Sequence, residues 1–144
     1  MILYCDSSAL IKFYIDEEDS DFMRHLLEKA EAIATVRITW AEIHAALSRR
    51  ARDNPLDAKL LDKARRLFVK EWHKYIVIDV SQDVVELAGE YADTFALKGY
   101  DSVQLAAAVY SARLSGESFR FACFDSRLKK AAAVLGVFQS TDGD

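Results

Sequence analysis

The sequence predicts an α/β domain: a central parallel sheet of four to five strands flanked by helices. Short apolar runs such as Ile2 to Cys5 and Phe119 to Phe124 alternate with longer segments of helical period. No hairpin signal joins two of the runs, so successive strands are linked through helices and run parallel. At 144 residues, 51% of them hydrophobic, the chain has the size of one domain with a sizeable core.

Ile2 to Cys5 reads as a buried strand, followed by Asp6-Ser7-Ser8 and a helical pattern through Leu10, Phe13 and Tyr14. Asp19-Ser20 is expected to cap a second helix with Phe22, Met23, Leu26, Leu27 and Ala30 inward. Ala32 to Ile38 is a β-branched second strand. Thr39 then stands at the cap of a helix carrying Trp40, Ile43 and Leu47, with Glu42 spaced for a capping box. Asn54-Pro55 ends that helix, and Leu56-Asp57 starts the next. Its expected core face is Leu60, Leu61, Ala64, Leu67 and Phe68, with Lys59, Lys63, Arg66 and Lys70 striped opposite.

Tyr75 to Val80 is the third strand, and Ser81 caps a helix bearing Val84, Val85, Ala88, Tyr91, Ala92 and Phe95. Lys98-Gly99 breaks the chain. Asp101-Ser102 opens a helix apolar on nearly every side, which marks it as buried. Phe119 to Phe124 is the fourth strand, Asp125-Ser126 opens a last helix, and Val137-Phe138 reads as a short final strand. The domain is expected over residues 1–139, with 140–144 a frayed tail.

Composition excludes several classes. Five glycines and one proline are too few for a disordered chain, and no apolar stretch is long enough to span a membrane. The apolar start lacks the basic flank of a signal peptide, which points to a cytoplasmic protein. Cys5 and Cys123 lie inside apolar runs and read as buried thiols, with a disulfide open to them if the strands meet. His25, His44 and His73 show no metal-ligand spacing, and there is no P-loop, no G-x-G-x-x-G and no G-x-S-x-G. The net charge of −4 argues against nucleic-acid binding by bulk positive charge.

The informative feature is where certain acids fall. Asp6 and Asp125 each end a strand and precede a helix, Asp101 opens the most buried helix, and Glu42 sits in the first turn after the second strand. Ligands of open parallel sheets bind at the carboxyl ends of the strands, so these four acids can converge there. Singly, each is explained as a helix cap or first-turn acid gaining roughly 0.3–1 kcal/mol from the dipole. Together they are costly: two like charges at about 4 Å repel by on the order of 4 kcal/mol at an effective dielectric of about 20. Protonation or a cation must relieve such a cluster, and an all-carboxylate set suits Mg²⁺ or Mn²⁺.

Four segments carry a resemblance to the PIN-domain family, and within it to the VapC-type toxins of toxin–antitoxin pairs. They are Ile2-Leu3-Tyr4-Cys5-Asp6-Ser7-Ser8, Thr39-Trp40-Ala41-Glu42-Ile43, Gly99-Tyr100-Asp101-Ser102 with its Ala-rich helix, and Phe121-Ala122-Cys123-Phe124-Asp125-Ser126-Arg127-Leu128. Their order and spacing resemble the family over nearly the whole chain. Cys123 departs from it, standing where many relatives have Thr or Ser.

The resemblance implies a divalent-metal-dependent endoribonuclease in which Asp6, Glu42, Asp101 and Asp125 hold one or two Mg²⁺ or Mn²⁺ ions, supported by Ser8. It also implies an antitoxin partner and a homodimer. Candidate RNA-binding cations are Arg49, Arg50 and Arg52, then Arg127, Lys129 and Lys130, and the Lys59 stripe. Two rivals remain on the sequence: a non-catalytic PIN-like binding module, and an aspartate-based phosphatase or phosphoacceptor domain. The latter lacks the second acid it needs, having Ser8 two residues after Asp6.

Overall fold

The computed structural model describes residues 1–139. Four parallel strands, β1 (Ile2–Cys5), β2 (Ala32–Val36), β3 (Ile76–Ile78) and β4 (Phe119–Ala122), form one sheet in the order β3-β2-β1-β4. The helices are α1 (Ser7–Leu10), α2 (Ser20–Glu28), α3 (Thr39–Asp53), α4 (Ala58–Glu71), α5 (Gln82–Phe95), α6 (Gly99–Ser115) and α7 (Ser126–Leu135). Strands β1, β2 and β4 are buried on both sides, as is usual in parallel sheets, whereas the edge strand β3 is partly open to solvent. Alternation along β1 divides the core: Leu3 and Cys5 pack with Ile33, Ile43, Leu47 and Phe68, whereas Tyr4 packs with Val36, Leu105, Phe121 and Leu128. Helices α1–α4 therefore cover one face and α5–α7 the other.

Strand order sets the position of the site. The chain steps outward from β1 to β2 to β3, then returns across the opposite face to place β4 on the other side of β1. The order thus reverses between β1 and β4, and the crevice at their carboxyl ends is the switch point of the fold. Cys5 pairs with Ala122 there, one residue before Asp6.

Most expected elements form, with shorter strands, and several local expectations are corrected. Thr39 does not cap α3: the cap position is Ile38, with no side-chain bond, so no capping box closes. Asp19 adopts a left-handed backbone (φ 67°) before α2 and makes no side-chain cap. Helix α6 begins at Gly99, which places Asp101 within its first turn. On α4 only Leu61, Ala64 and Phe68 are buried; Leu60 is 65% exposed and Leu67 is 45% exposed. Phe22, Leu27 and Val85 are likewise partly open to solvent.

Val137-Phe138 forms no strand, although the Gln139 N–H reaches the Phe119 carbonyl at 2.8 Å. The expected tail, 140–144, lies outside the described residues. Cys5 and Cys123 are both free thiols on opposite faces of the sheet, so they do not pair. Among the described residues no helix is long and apolar enough to cross a membrane.

The α1–α4 face is organised around Phe68, fully buried and ringed by Tyr14, Trp40, His44 and Trp72 at centroid distances of 5.4–5.7 Å. Mixed tilted and edge contacts of this kind add to the apolar area removed from water. Phe68→Ala is expected to cost about 3–5 kcal/mol in urea unfolding monitored by tryptophan fluorescence, whereas Leu60→Ala should stay within about 0.5 kcal/mol of wild type.

Candidate active site

The carboxyl edge of the sheet collects the acids by a simple route. Helices α3 and α7 start where β2 and β4 end, and α6, running back toward β4, starts at the same edge. Asp6 is the only one of the four acids that is fully buried, at 5% exposure, directly after the central strand. It caps α1: its Oδ1 accepts from the Ala9 N–H at 3.0 Å and from the Ser8 hydroxyl at 2.7 Å. Ser8 in turn accepts from the Phe124 N–H at 3.2 Å, so one hydroxyl ties the end of β1 to the end of β4. Asp125 caps α7, accepting from the Leu128 N–H at 2.9 Å, and is exposed. Glu42 and Asp101 are half-buried.

The charges of the four acids act on one another. Burial pushes the Asp6 carboxyl up to about 7, with the charges of Asp101 and Glu42 adding to the rise against the Ser8 and Ala9 hydrogen bonds. Glu42 is raised by burial and by Asp101, while the Gln104 amide and the Ser7 hydroxyl hold it down. Asp101 is raised by burial and by Asp125, with Lys98 opposing. The field therefore runs unbroken from Asp6 and Glu42 through Asp101 to Asp125.

Among the described residues no group of three or more His, Cys, Asp or Glu side chains is drawn together tightly enough to hold a metal ion by itself. The donor chemistry nonetheless fits a hard divalent cation. The nearby thiol, Cys123, is kept protonated by burial and leaves carboxylate and hydroxyl oxygens as donors. Mg²⁺ commonly takes one or two carboxylates and keeps several waters, which suits acids spread along an edge.

Three groups here escaped the sequence reading. Thr39 turns its hydroxyl inward, where Gln104 Nε2 donates to it at 2.9 Å. Gln104 also donates to Glu42 Oε1 at 2.9 Å. Ser7, beside the expected Ser8, is the one that bonds Glu42. Gln104 had a signal: it lies one turn after Asp101 and is the polar exception in an Ala-rich helix. The histidines stay apart from the acids; His44 stacks on Trp40 at 4.8 Å and His25 faces Glu28 at 3.7 Å.

A cavity of about 450 Å³ beside β4 reaches Cys123, Phe124 and Lys129, and another of about 410 Å³ lies between α2 and the start of β3; neither is lined by any of the four acids.

A doubly wound parallel sheet with four acids along the edge at its switch point defines the class: an α/β protein with an acidic edge at the carboxyl ends of its strands. The model of the PIN domain family matches residues 3–134, and the chain belongs to that family. Relatives include Ribonuclease VapC45 of Mycobacterium tuberculosis (strain CDC 1551 / Oshkosh) and Ribonuclease VapC49 of strain H37Rv, each 29% identical over 135 residues. Both alignments cover 94% of this chain and 92% of the relative. Among solved structures, a toxin–antitoxin complex from Klebsiella pneumoniae superposes with a TM-score of 0.55 at 19% identity, covering 83% of each chain. VapBC2 from Rickettsia felis, bound to a DNA fragment from its promoter, gives 0.58 at 15% identity, covering 90% of this chain and 92% of that one. At these identities the structural likeness concerns the fold.

A buried acid with a raised pKa makes the folded state lose stability as pH rises. Between the ordinary value of 3.8 and about 7, the folded protein keeps the Asp6 proton that the unfolded chain has released, so unfolding becomes easier across that window and levels off above it. Without divalent metal, Asp6→Asn should therefore gain in Tm relative to wild type as pH is raised through that range. A Tm difference that does not change with pH would refute the assignment of a buried, proton-holding Asp6.

Proposed function

We propose that this chain is a divalent-metal-dependent endoribonuclease acting as the toxin of a toxin–antitoxin pair. The observation that carries the reading is the placement of Asp6, Glu42, Asp101 and Asp125 at helix starts along the sheet's carboxyl edge, at its switch point. The names of the relatives, ribonucleases of the VapC type, and the toxin–antitoxin complexes of the same fold support it.

In this reading Asp6, Glu42, Asp101 and Asp125 hold one or two Mg²⁺ or Mn²⁺ ions, some through water. The metal, when bound, acidifies a water and stabilises charge on the phosphate oxygens. The chain's own residues do the rest. Asp6, fixed by Ser8 and Ala9, is the rigid member of the set. Asp101, half-buried and with no side-chain hydrogen bond among those described, is the member of the set suited to accept the proton of the attacking water. A metal ion also removes the mutual repulsion of the acids.

RNA contacts are best sought near this edge. Helix α3 rises about 1.5 Å per residue, so Arg49, Arg50 and Arg52 lie on the order of 15 Å from the Glu42 end. Arg50 is moreover paired with Glu17. Lys98 acts on Asp101, and Lys129 stands 5.1 Å from the Phe124 ring beside Asp125. Lys98, absent from the sequence-level candidates, and Lys129 are in this reading the cations that receive phosphates.

The partner in this reading is an antitoxin protein that covers the acidic edge, and the toxin pairs with itself as a homodimer. The protein acts in the cytoplasm.

The test is cleavage of single-stranded RNA by purified protein with Mg²⁺ or Mn²⁺ and with EDTA. Asp101→Asn is expected to lower kcat about 100-fold or more, the contribution of a positioned proton acceptor, and EDTA to abolish cleavage. Wild-type rates for the Asp101→Asn protein, or undiminished cleavage in EDTA, would overturn the mechanism. A stable aspartyl-phosphate after incubation with acetyl phosphate would favour the phosphoacceptor reading instead.

A further inference from the structure

Beneath the acids lies a second, uncharged layer of polar groups. Gln104 is 1% exposed in an otherwise apolar stretch of α6. A buried primary amide is tolerated only when its hydrogen-bonding groups find partners. Here its Oε1 accepts from the Tyr4 hydroxyl at 2.7 Å, and its Nε2 donates to Thr39 Oγ1 and to Glu42 Oε1, both at 2.9 Å. The direction of the chain is determined. Thr35 gives its one hydroxyl proton to the Cys5 carbonyl at 2.8 Å, so at 2.8 Å from Thr39 it accepts the Thr39 proton, and Thr39 accepts from the amide. Tyr4, which burial keeps protonated, fixes the oxygen end of the amide, so the NH₂ end faces Glu42.

We propose that Gln104, oriented by Tyr4, is a positioning residue that aims the Glu42 carboxylate at the metal. The role rests on the reading of Glu42 as a metal-holding acid. Its geometry joins three elements that converge only in the folded protein: β1 through Tyr4, α6 through Gln104 and α3 through Glu42. Partners of this kind, outside the ligands themselves, typically carry 10- to 100-fold in metal affinity or activity.

The experiment measures Mn²⁺ affinity of the full chain from the EPR signal of free Mn²⁺, in wild type, Gln104→Met, Glu42→Gln, the double variant and Tyr4→Phe. Gln104→Met and Glu42→Gln are each expected to weaken Mn²⁺ binding about 10-fold, and the double variant to bind no more weakly than Glu42→Gln alone. Tyr4→Phe should weaken binding in the same direction by less. Losses that multiply in the double variant, or wild-type affinity in Gln104→Met, would overturn the positioning role. Should Gln104→Met not fold, Tyr4→Phe, which deletes one oxygen, carries the test by the same two criteria. Wild-type affinity in Glu42→Gln, with binding still abolished by Asp6→Asn, would overturn the reading of Glu42 and the positioning role with it.

Discussion

Asp6 is taken out of water at the end of β1, with β2 and β4 on either side, and an isolated carboxylate so placed costs several kcal/mol to ionise. Much of the surrounding structure answers that cost. The Ala9 N–H and the Ser8 hydroxyl donate to Oδ1, and the Ser8 oxygen is itself held by the Phe124 backbone. Helices α3, α6 and α7 all point their N-termini, with the positive ends of their dipoles, at the same edge. These interactions are insufficient to restore an ordinary carboxyl, because burial and the neighbouring acids still hold Asp6 near 7. The protein alone therefore leaves part of that cost unanswered, which is where the proposed cation would act.

The two faces of the sheet contribute differently to that edge. On the α1–α4 face the aromatic cluster around Phe68 anchors α3, whose first turn carries Glu42. On the other face the middle of α6 is buried, and its Ala-rich surface lets it approach the strands closely enough for Gln104 to reach Tyr4. Tyr4 stacks on Phe121 at 5.4 Å, which locks its hydroxyl in place. Packing in the core thus becomes precision in the polar layer above it: the rigid members are those fixed from both faces.

The fold was legible because β1, β2 and β4 are buried on both sides and read as short apolar runs; β1 forms over the expected residues. Asp6, Asp125 and Ser81 were legible as caps because capping is a local effect, with partners three residues on. What failed was the reading of faces and ends. Leu60 and Leu67 fit a helical period but lie on the wrong side of α4, a matter decided by which neighbour the helix packs against. Thr39 has the residue type of a cap, yet its hydroxyl is worth more bonded to Gln104 inside the protein than to a backbone N–H at the surface. Ser7 and Gln104 were missed for the same reason: their partners are 35 to 100 residues away, and no local pattern records them.

The acidic balance of the chain takes on a different sense in this light. There are 23 acids against 19 bases, an excess of four. Spread over the surface, that excess would repel a polyanion weakly and from every side. Part of the remaining acid is instead neutralised locally, Glu17 by Lys12 and Arg50, Asp62 by Arg65 and Arg66, Asp79 by Arg37. Asp6, Glu42, Asp101 and Asp125 lie along the carboxyl edge of the sheet, with Lys98 and Lys129 near them. In the proposed reading, acids along one edge repel a nucleic acid until divalent cations occupy that edge. One such cation would halve the charge of the four carboxylates and two would cancel it, so affinity for an RNA phosphate would depend on the bound metal as well as on the charge of the chain.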